Sequence, residues 1–186
     1  MYEGIYGVGY HSKHSLAHAS QIVEWLKKDW PGRTVLDIGC ARGTAVKELR
    51  AAGHCAMGVD VCRVAVKAAE EEGLPVLWAP ATALPFPDDA FDFTMHTDVF
   101  EHLWEEDVPK ACEESLRVAR RGVICKIATR RDQLRVLIPK AGLDPKRFER
   151  LHMTVRPIEW WADQYKQAGA VTVKVNKCGQ NTIRAI

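Results

Sequence analysis

The feature that most constrains this chain is a recurrence of short apolar runs with amphipathic stretches set between them. RTVLDI (33–38), HCAMGVD (54–60), PVLWA (75–79), FDFTMH (91–96) and GVICKIAT (122–129) have the length and apolar content of buried strands. GTAVKELRAA (43–52) and CRVAVKAAEEEG (62–73) carry helical spacing and meet glycine stops at Gly53 and Gly73. EEDVPKACEESLRVAR (105–120) reads as a helix in which Pro109 is tolerated only in the first turn. A helix over 14–29 ends at Pro31-Gly32, and another over 157–169 has Pro157 near its start. PATALPFPDDA (80–90) holds three prolines and reads as a loop. The closing VTVKVNKCGQNTIRAI reads as two strands around a Cys-Gly-Gln-Asn turn. Strands alternating with helices predict an α/β fold: a doubly wound, seven-stranded and mostly parallel sheet, with one antiparallel strand from the C-terminal hairpin.

At 186 residues, with 47% hydrophobic and 27% charged residues, the chain fits one globular domain spanning 1–186. No apolar run approaches the ~20 residues of a membrane span. MYEGIYGVGYHSKHS lacks the basic-then-apolar pattern of a secretory signal. A cytoplasmic protein with no membrane partner is therefore expected. The six cysteines form no Cys-x-x-Cys pair, which argues for reduced, buried thiols and against a structural zinc site. The sequence leaves the oligomeric state open.

TVLDIGCARG (34–43) carries the chemistry. An apolar run ending in an acid breaks into Gly39, Ala41 and Gly43, so the backbone must approach something closely there. In open α/β sheets that crevice holds the ligand. A dinucleotide site wants G-x-G-x-x-G. Here the spacing is G-x-A-x-G, and Asp37 would repel a pyrophosphate. A ligand with a cationic group suits this acid better.

VLDIGCARG, then GVD at 58–60, LPFPDDAFD at 84–92 and DVFEHL at 98–103 resemble the class I S-adenosylmethionine-dependent methyltransferases, and within them a small-molecule O-methyltransferase-like branch. The resemblance covers about residues 33–129 and implies a Rossmann-like fold with S-adenosyl-L-methionine as cofactor. It implies that Asp37 lies near the amino and sulfonium end of the cofactor, with Gly39, Cys40, Ala41 and Gly43 along its methionyl part. It implies that Asp60 accepts the ribose hydroxyls while Val61 and Cys62 flank the adenine. Two positions depart from the family pattern. Ala41 replaces the commoner glycine, which is tolerable on a negative φ. Pro80 stands where relatives often carry an aspartate for the adenine amino group, which leaves that contact to Ala81, Thr82 and Leu84. His96, at the end of the fourth strand, is expected at the crevice edge.

In TDVFEHL, Asp98, Glu101 and His102 stand at i, i+3 and i+4 and share a face if the segment is helical. Three readings compete. Glu101 and His102 brace the turn in a structural sense only; His102 or His152 can act as general base, with Asp98 beside it; or Asp98, Glu101, His102 and His152 can hold a divalent metal, since the pattern is similar to that of small-RNA 3′-terminal 2′-O-methyltransferases. The reading kept is catalysis by His102, His152 and Asp98 without a metal. His11, His14 and His18 read as solvated, Tyr6 and Tyr10 as part of an N-terminal lid within 1–30, and Trp160 and Trp161 as core residues. Between Arg117 and Arg156 twelve Lys or Arg face three Asp or Glu. Residues 130–156, with Arg130, Arg131, Arg135, Lys140, Lys146, Arg147, Arg150 and Arg156, fall where relatives place acceptor-binding elements. If these converge, the acceptor is small and anionic, a metabolite or glycan precursor. Only Phe148 interrupts the charges, which disfavours RNA. The rivals are an RNA 2′-O-methyltransferase, a catalytically silent cofactor-binding module and a nicotinamide-dependent oxidoreductase.

Overall fold

The computed structural model describes residues 15–130, 137–140, 142, 144, 151–176 and 181–186. In chain order the elements are α1 (Ser15–Asp29), β1 (Thr34–Ile38), α2 (Thr44–Ala51), β2 (Cys55–Asp60), α3 (Arg63–Glu71), β3 (Val76–Trp78) and β4 (Phe91–Thr97). Two short 3₁₀ turns, Phe100–His102 and Glu105–Asp107, lead into α4 (Val108–Arg117) and β5 (Ala119–Lys126). Then come α5 (Leu137–Lys140), α6 (Ile158–Gln167), β6 (Val173–Asn176) and β7 (Thr182–Ala185). The seven strands form one sheet in the order β3-β2-β1-β4-β5-β7-β6. All neighbours pair in parallel except β7, which runs antiparallel to both β5 and β6. This is the Rossmann-like arrangement that the alternating pattern predicts.

Strand side chains alternate between two cores, which is why the central strands read as unbroken apolar runs. Val35, Phe93, Met95 and Ile124 join Ile22, Val23 and Leu26 of α1, Val46 and Leu49 of α2, and Val66 of α3. Leu36, Ile38, Val123 and Cys125 point the other way, to Val108 and Cys112 of α4 and to Ile158, Trp161 and Tyr165 of α6. Fully burying a side chain such as Leu36 or Phe100 contributes about 1.5–3 kcal/mol.

β5 begins three residues earlier than the sequence suggests. α4 ends at Arg117, and Ala119 pairs with Phe91 before the register slips to Phe93 opposite Gly122. Arg120 and Arg121, at the slip, reach Asp92 at 3.5 and 3.2 Å. Gly122 has φ +134, and a β-carbon there would strike the Ala185 carbonyl oxygen of β7. The parallel strands point their carboxyl ends to one rim of the sheet. There the segments after β1, β2, β4 and β5 meet.

Candidate functional site

After Ile38 the chain turns at once into α2. The N–H groups of Gly39 and Cys40 both donate to the Val59 carbonyl, at 2.8 and 3.0 Å, pinning the turn to β2. Gly39, Ala41 and Gly43 all take positive φ, at +76, +52 and +74. The condition of a negative φ at Ala41 is thus not met. The left-handed conformation costs a residue with a β-carbon about 1–2 kcal/mol; a 2.8 Å hydrogen bond from the Ala41 N–H to Asp60 Oδ2 holds it there. A β-carbon on Gly39 would lie 2.5 Å from Val99 Cγ2, so Val99 of the segment after β4 packs against this bend. The Cys40 thiol turns away from the rim and packs over Gly58. Burial first, then the charges of Asp37 and Asp60, raise its pKa well above that of a free thiol. Only the Cys40 backbone is therefore offered at the bend.

Two acids lie beneath the turn. Asp37 sits opposite Gly58 in the register and is 5% exposed. Its carboxylate accepts no hydrogen bond among the described residues. Burial, then the neighbouring charge of Asp60, pushes its pKa up to about 8. Asp60 closes β2, and its oxygens accept the N–H groups of Cys62 and Ala41, both at 2.8 Å. Burial raises its pKa against the pull of those bonds. Each carboxylate oxygen has a second lone pair for a further donor. Val61 is exposed at the rim and Cys62 is buried. The Trp78 indole donates to the Val61 carbonyl at 2.9 Å, and Arg63 stacks 3.9 Å above its ring. Beyond Pro80, Ala81 is buried and Thr82 half-buried. Leu84 packs into the core on the α4 side, and its N–H donates to Glu114 Oε2 at 2.8 Å.

His96 is not at the crevice edge. It is fully buried, stacked 3.6 Å from Phe100, with Nε2 2.6 Å from the Tyr165 hydroxyl. Strand alternation sends Met95 toward α1 and His96 into the layer of α6. Burial lowers its pKa to about 3, so it stays neutral.

The segment after β4 is also not an α-helix. Asp98 takes φ +53, and only Phe100–His102 form a 3₁₀ turn, so Asp98 does not share a helical face with His102. Its carboxylate instead grips Lys126 Nζ, at 2.6 and 2.8 Å. Glu101 is fully buried. Its Oε1 accepts the Ala128 N–H at 2.9 Å, while Oε2 has no hydrogen-bond partner among the described residues. Burial and then the charge of Asp98 hold Glu101 well above the usual carboxylate range. The Glu101 carbonyl accepts the Thr154 N–H at 3.0 Å, and Thr154 Oγ1 donates to the Leu103 carbonyl at 2.8 Å. These contacts lay residues 151–154 over the turn and bring His152 to His102, ring centres 4.9 Å apart at 83°.

Of the basic residues in 130–156, Arg130 and Lys140 are exposed, and Arg156 is engaged by Glu105 at 2.9 and 2.8 Å. Arg131, Arg135, Lys146, Arg147, Arg150 and Phe148 lie outside the described residues, as do Tyr6, Tyr10, His11 and His14; His18 falls on α1. Trp161 is a core residue, with Trp160 edge-on at 5.0 Å. Sequence reasoning missed Val99, Lys126 and Trp78. The pairing of Thr97 with Lys126 is the signal for Lys126, because it sets the lysine beside the exit of β4.

This fold and rim define a class, and comparison with known proteins agrees. Residues 36–127 match the methyltransferase domain family. The chain belongs to the class I S-adenosylmethionine-dependent methyltransferases, whose cofactor is S-adenosyl-L-methionine. It is similar to protein MJ1123 of Methanocaldococcus jannaschii, 35% identical over 100 residues, covering 54% of this chain and 46% of that protein. It is also similar to 2-methyl-6-phytyl-1,4-hydroquinone methyltransferase of Synechocystis, 33% identical, covering 63% of this chain and 38% of the relative. The chain thus spans less than half the length of these relatives. In fold it resembles the crystal structure of magnesium protoporphyrin IX methyltransferase from Synechocystis with bound S-adenosylhomocysteine. The TM-score is 0.66 at 18% identity, covering 90% of this chain and 80% of the other. No helix among the described residues is long and apolar enough to cross a membrane.

Proposed function

We propose that this chain transfers a methyl group from S-adenosylmethionine to an oxygen of a small, anionic acceptor. The observation that carries the reading is Asp37: a buried carboxylate with no hydrogen bond among the described residues, beneath a bend of mostly small residues. A buried acid of this kind is costly unless a cation faces it, and the family's cofactor brings both a sulfonium and an ammonium. Bound there, the cofactor supplies an electrophilic methyl on a positively charged sulfur.

The chain's own residues do the rest. Asp37 orients the cationic end. The 39–43 backbone allows close approach, and Asp60 offers its second lone pairs to ribose hydroxyls. Val61 and Cys62 flank the adenine, with Ala81, Thr82 and Leu84 on its far side. At the exit of β4, His102 and His152 face the acceptor oxygen. The Nδ1 atoms of these rings lie 3.0 and 2.8 Å from the carbonyls of Leu151 and Arg130. A carbonyl only accepts, so each Nδ1 carries the proton and each Nε2 the lone pair. Asp98 and Lys126 hold the loop between the turn and the histidines. Holding acceptor and methyl in line can remove about 7–11 kcal/mol of barrier. The net positive charge of 130–156 favours an anionic acceptor.

The test is turnover of S-adenosylmethionine against a panel of matched acceptors: hydroquinones and sugar hydroxyls with and without a carboxylate or phosphate, beside amines and thiols. Methylation of an anionic hydroxyl compound is expected, with loss of rate in His102→Ala. Turnover with amines alone contradicts the oxygen assignment, and preference for neutral acceptors contradicts the charge assignment.

A further inference from the structure

The cluster beside the crevice holds more donors than bracing a turn requires. Glu101, His102 and His152 each offer one ligand atom, and these atoms lie within 4.8 Å of one another. They come from chain segments some fifty residues apart, joined by the hydrogen bonds of Thr154 and Leu151 to the 101–103 turn. Two imidazoles and a carboxylate form a donor set that suits Zn²⁺ and other first-row divalent ions.

An independent observation points to a ligand. Glu101 Oε2 is buried and accepts no hydrogen bond among the described residues, although its twin oxygen is satisfied by Ala128. Leaving a buried acceptor unpaired costs about 1–3 kcal/mol, more for a charged group. Such an atom needs an explanation. Both histidines donate Nδ1–H to backbone carbonyls, an outer-shell arrangement that fixes ligating imidazoles in other metal sites and leaves Nε2 as the ligand atom. Asp98 is not in the set, because Lys126 engages both of its oxygens.

We propose that Glu101, His102 and His152 bind one divalent transition ion, with Zn²⁺ or Mn²⁺ as the expected class. Metal–ligand bonds of about 2.1 Å place tetrahedral ligand atoms roughly 3.4 Å apart. Three protein ligands leave coordination positions for an exogenous oxygen. The turn that carries Glu101 and His102 begins beside Val99, which abuts Gly39 of the cofactor bend. The turn that carries two of the three ligands thus starts beside the cofactor bend.

Resting on the function proposed above, the ion would take the acceptor's hydroxyl as its ligand and lower that hydroxyl's pKa. The hydroxyl proton passes to solvent. The oxygen then forms the new bond to the methyl carbon as the carbon–sulfur bond breaks, and the bond pair leaves on sulfur to give the neutral thioether. The histidines then act through the ion rather than as direct bases.

The experiment is calorimetric titration of metal-stripped protein with Zn²⁺ and separately with Mn²⁺, with S-adenosylhomocysteine binding measured on the same sample. One equivalent of ion is expected, with affinity reduced at least about 100-fold in His152→Ala and in Glu101→Gln. His152 is half-buried, so its variant keeps the test open if Glu101→Gln fails to fold. No binding of either ion at millimolar concentration, or unchanged affinity in His152→Ala, overturns the metal site. If S-adenosylhomocysteine still binds in that case, the methyltransferase reading stands without the ion. If the ion binds and S-adenosylhomocysteine does not, the metal site stands and the cofactor reading fails.

Discussion

If Asp37 faces the cationic end of the cofactor as proposed, cofactor binding is a proton-linked event. Burial and the adjacent Asp60 charge place its pKa at about 8 in the ligand-free protein. A cationic ligand selects the ionised form, and that form makes up about 1% of the population at pH 6, about 9% at pH 7 and about 50% at pH 8. Apparent affinity scales with the competent fraction. The Kd for S-adenosylhomocysteine, which carries an ammonium, is therefore expected to fall about tenfold from pH 6 to pH 7 and about fivefold from pH 7 to pH 8. Calorimetry at pH 7 in buffers of different ionisation enthalpy is expected to report release of nearly one proton. Asp37→Asn is expected to bind more weakly and to lose both the pH slope and the proton release. The sign for stability follows. The folded protein retains a proton that the unfolded chain has released between about pH 4 and pH 8, so Asp37 makes the ligand-free fold less stable as pH rises through that window. A wild-type Kd constant within twofold from pH 6 to 8, with no proton released, refutes the assignment of Asp37 to the cation.

Three further outcomes are expected. Asp60→Ala weakens S-adenosylhomocysteine binding at least about tenfold, since each charge-assisted hydrogen bond to ribose contributes about 1.5–3 kcal/mol; titration calorimetry reads it. Gly39→Ala places a β-carbon against Val99 in a left-handed conformation and lowers the urea-unfolding free energy by about 1–3 kcal/mol. Glu114 is held down to about 2, first by its hydrogen bonds with Arg117, so it contributes stability above the unfolded pKa that is lost as pH falls from about 4.5 toward 2. Arg117→Met flattens that acid limb in a melting series against pH.

The sheet was legible because apolar runs with glycine and proline punctuation leave few topologies for a chain of this size, and the acid-tipped β1 with its bend of small residues stands out within one local window. What escaped depends on contacts distant in sequence. His96 sits in a strand buried on both faces, so the sequence did not show whether it faces the crevice or Tyr165. Asp98, Glu101 and His102 have helical spacing, yet the left-handed Asp98 and the 3₁₀ turn give that spacing another meaning. Their partners Lys126 and His152 lie about 28 and 50 residues away and are brought in by strand register and by the hydrogen bonds of residues 151–154. The early start of β5 depends on a register slip opposite Phe91 and Phe93 that no local pattern marks.

Asp37, the Gly39–Gly43 bend and Asp60 are proposed together to receive a sulfonium cofactor. A crystal structure of the protein grown with S-adenosylhomocysteine tests it most directly. The expected density places the ribose hydroxyls on the Asp60 carboxylate and the homocysteine along the bend, with its ammonium toward Asp37. Density that places the ligand elsewhere, or a bend that takes up phosphate in its stead, contradicts the claim.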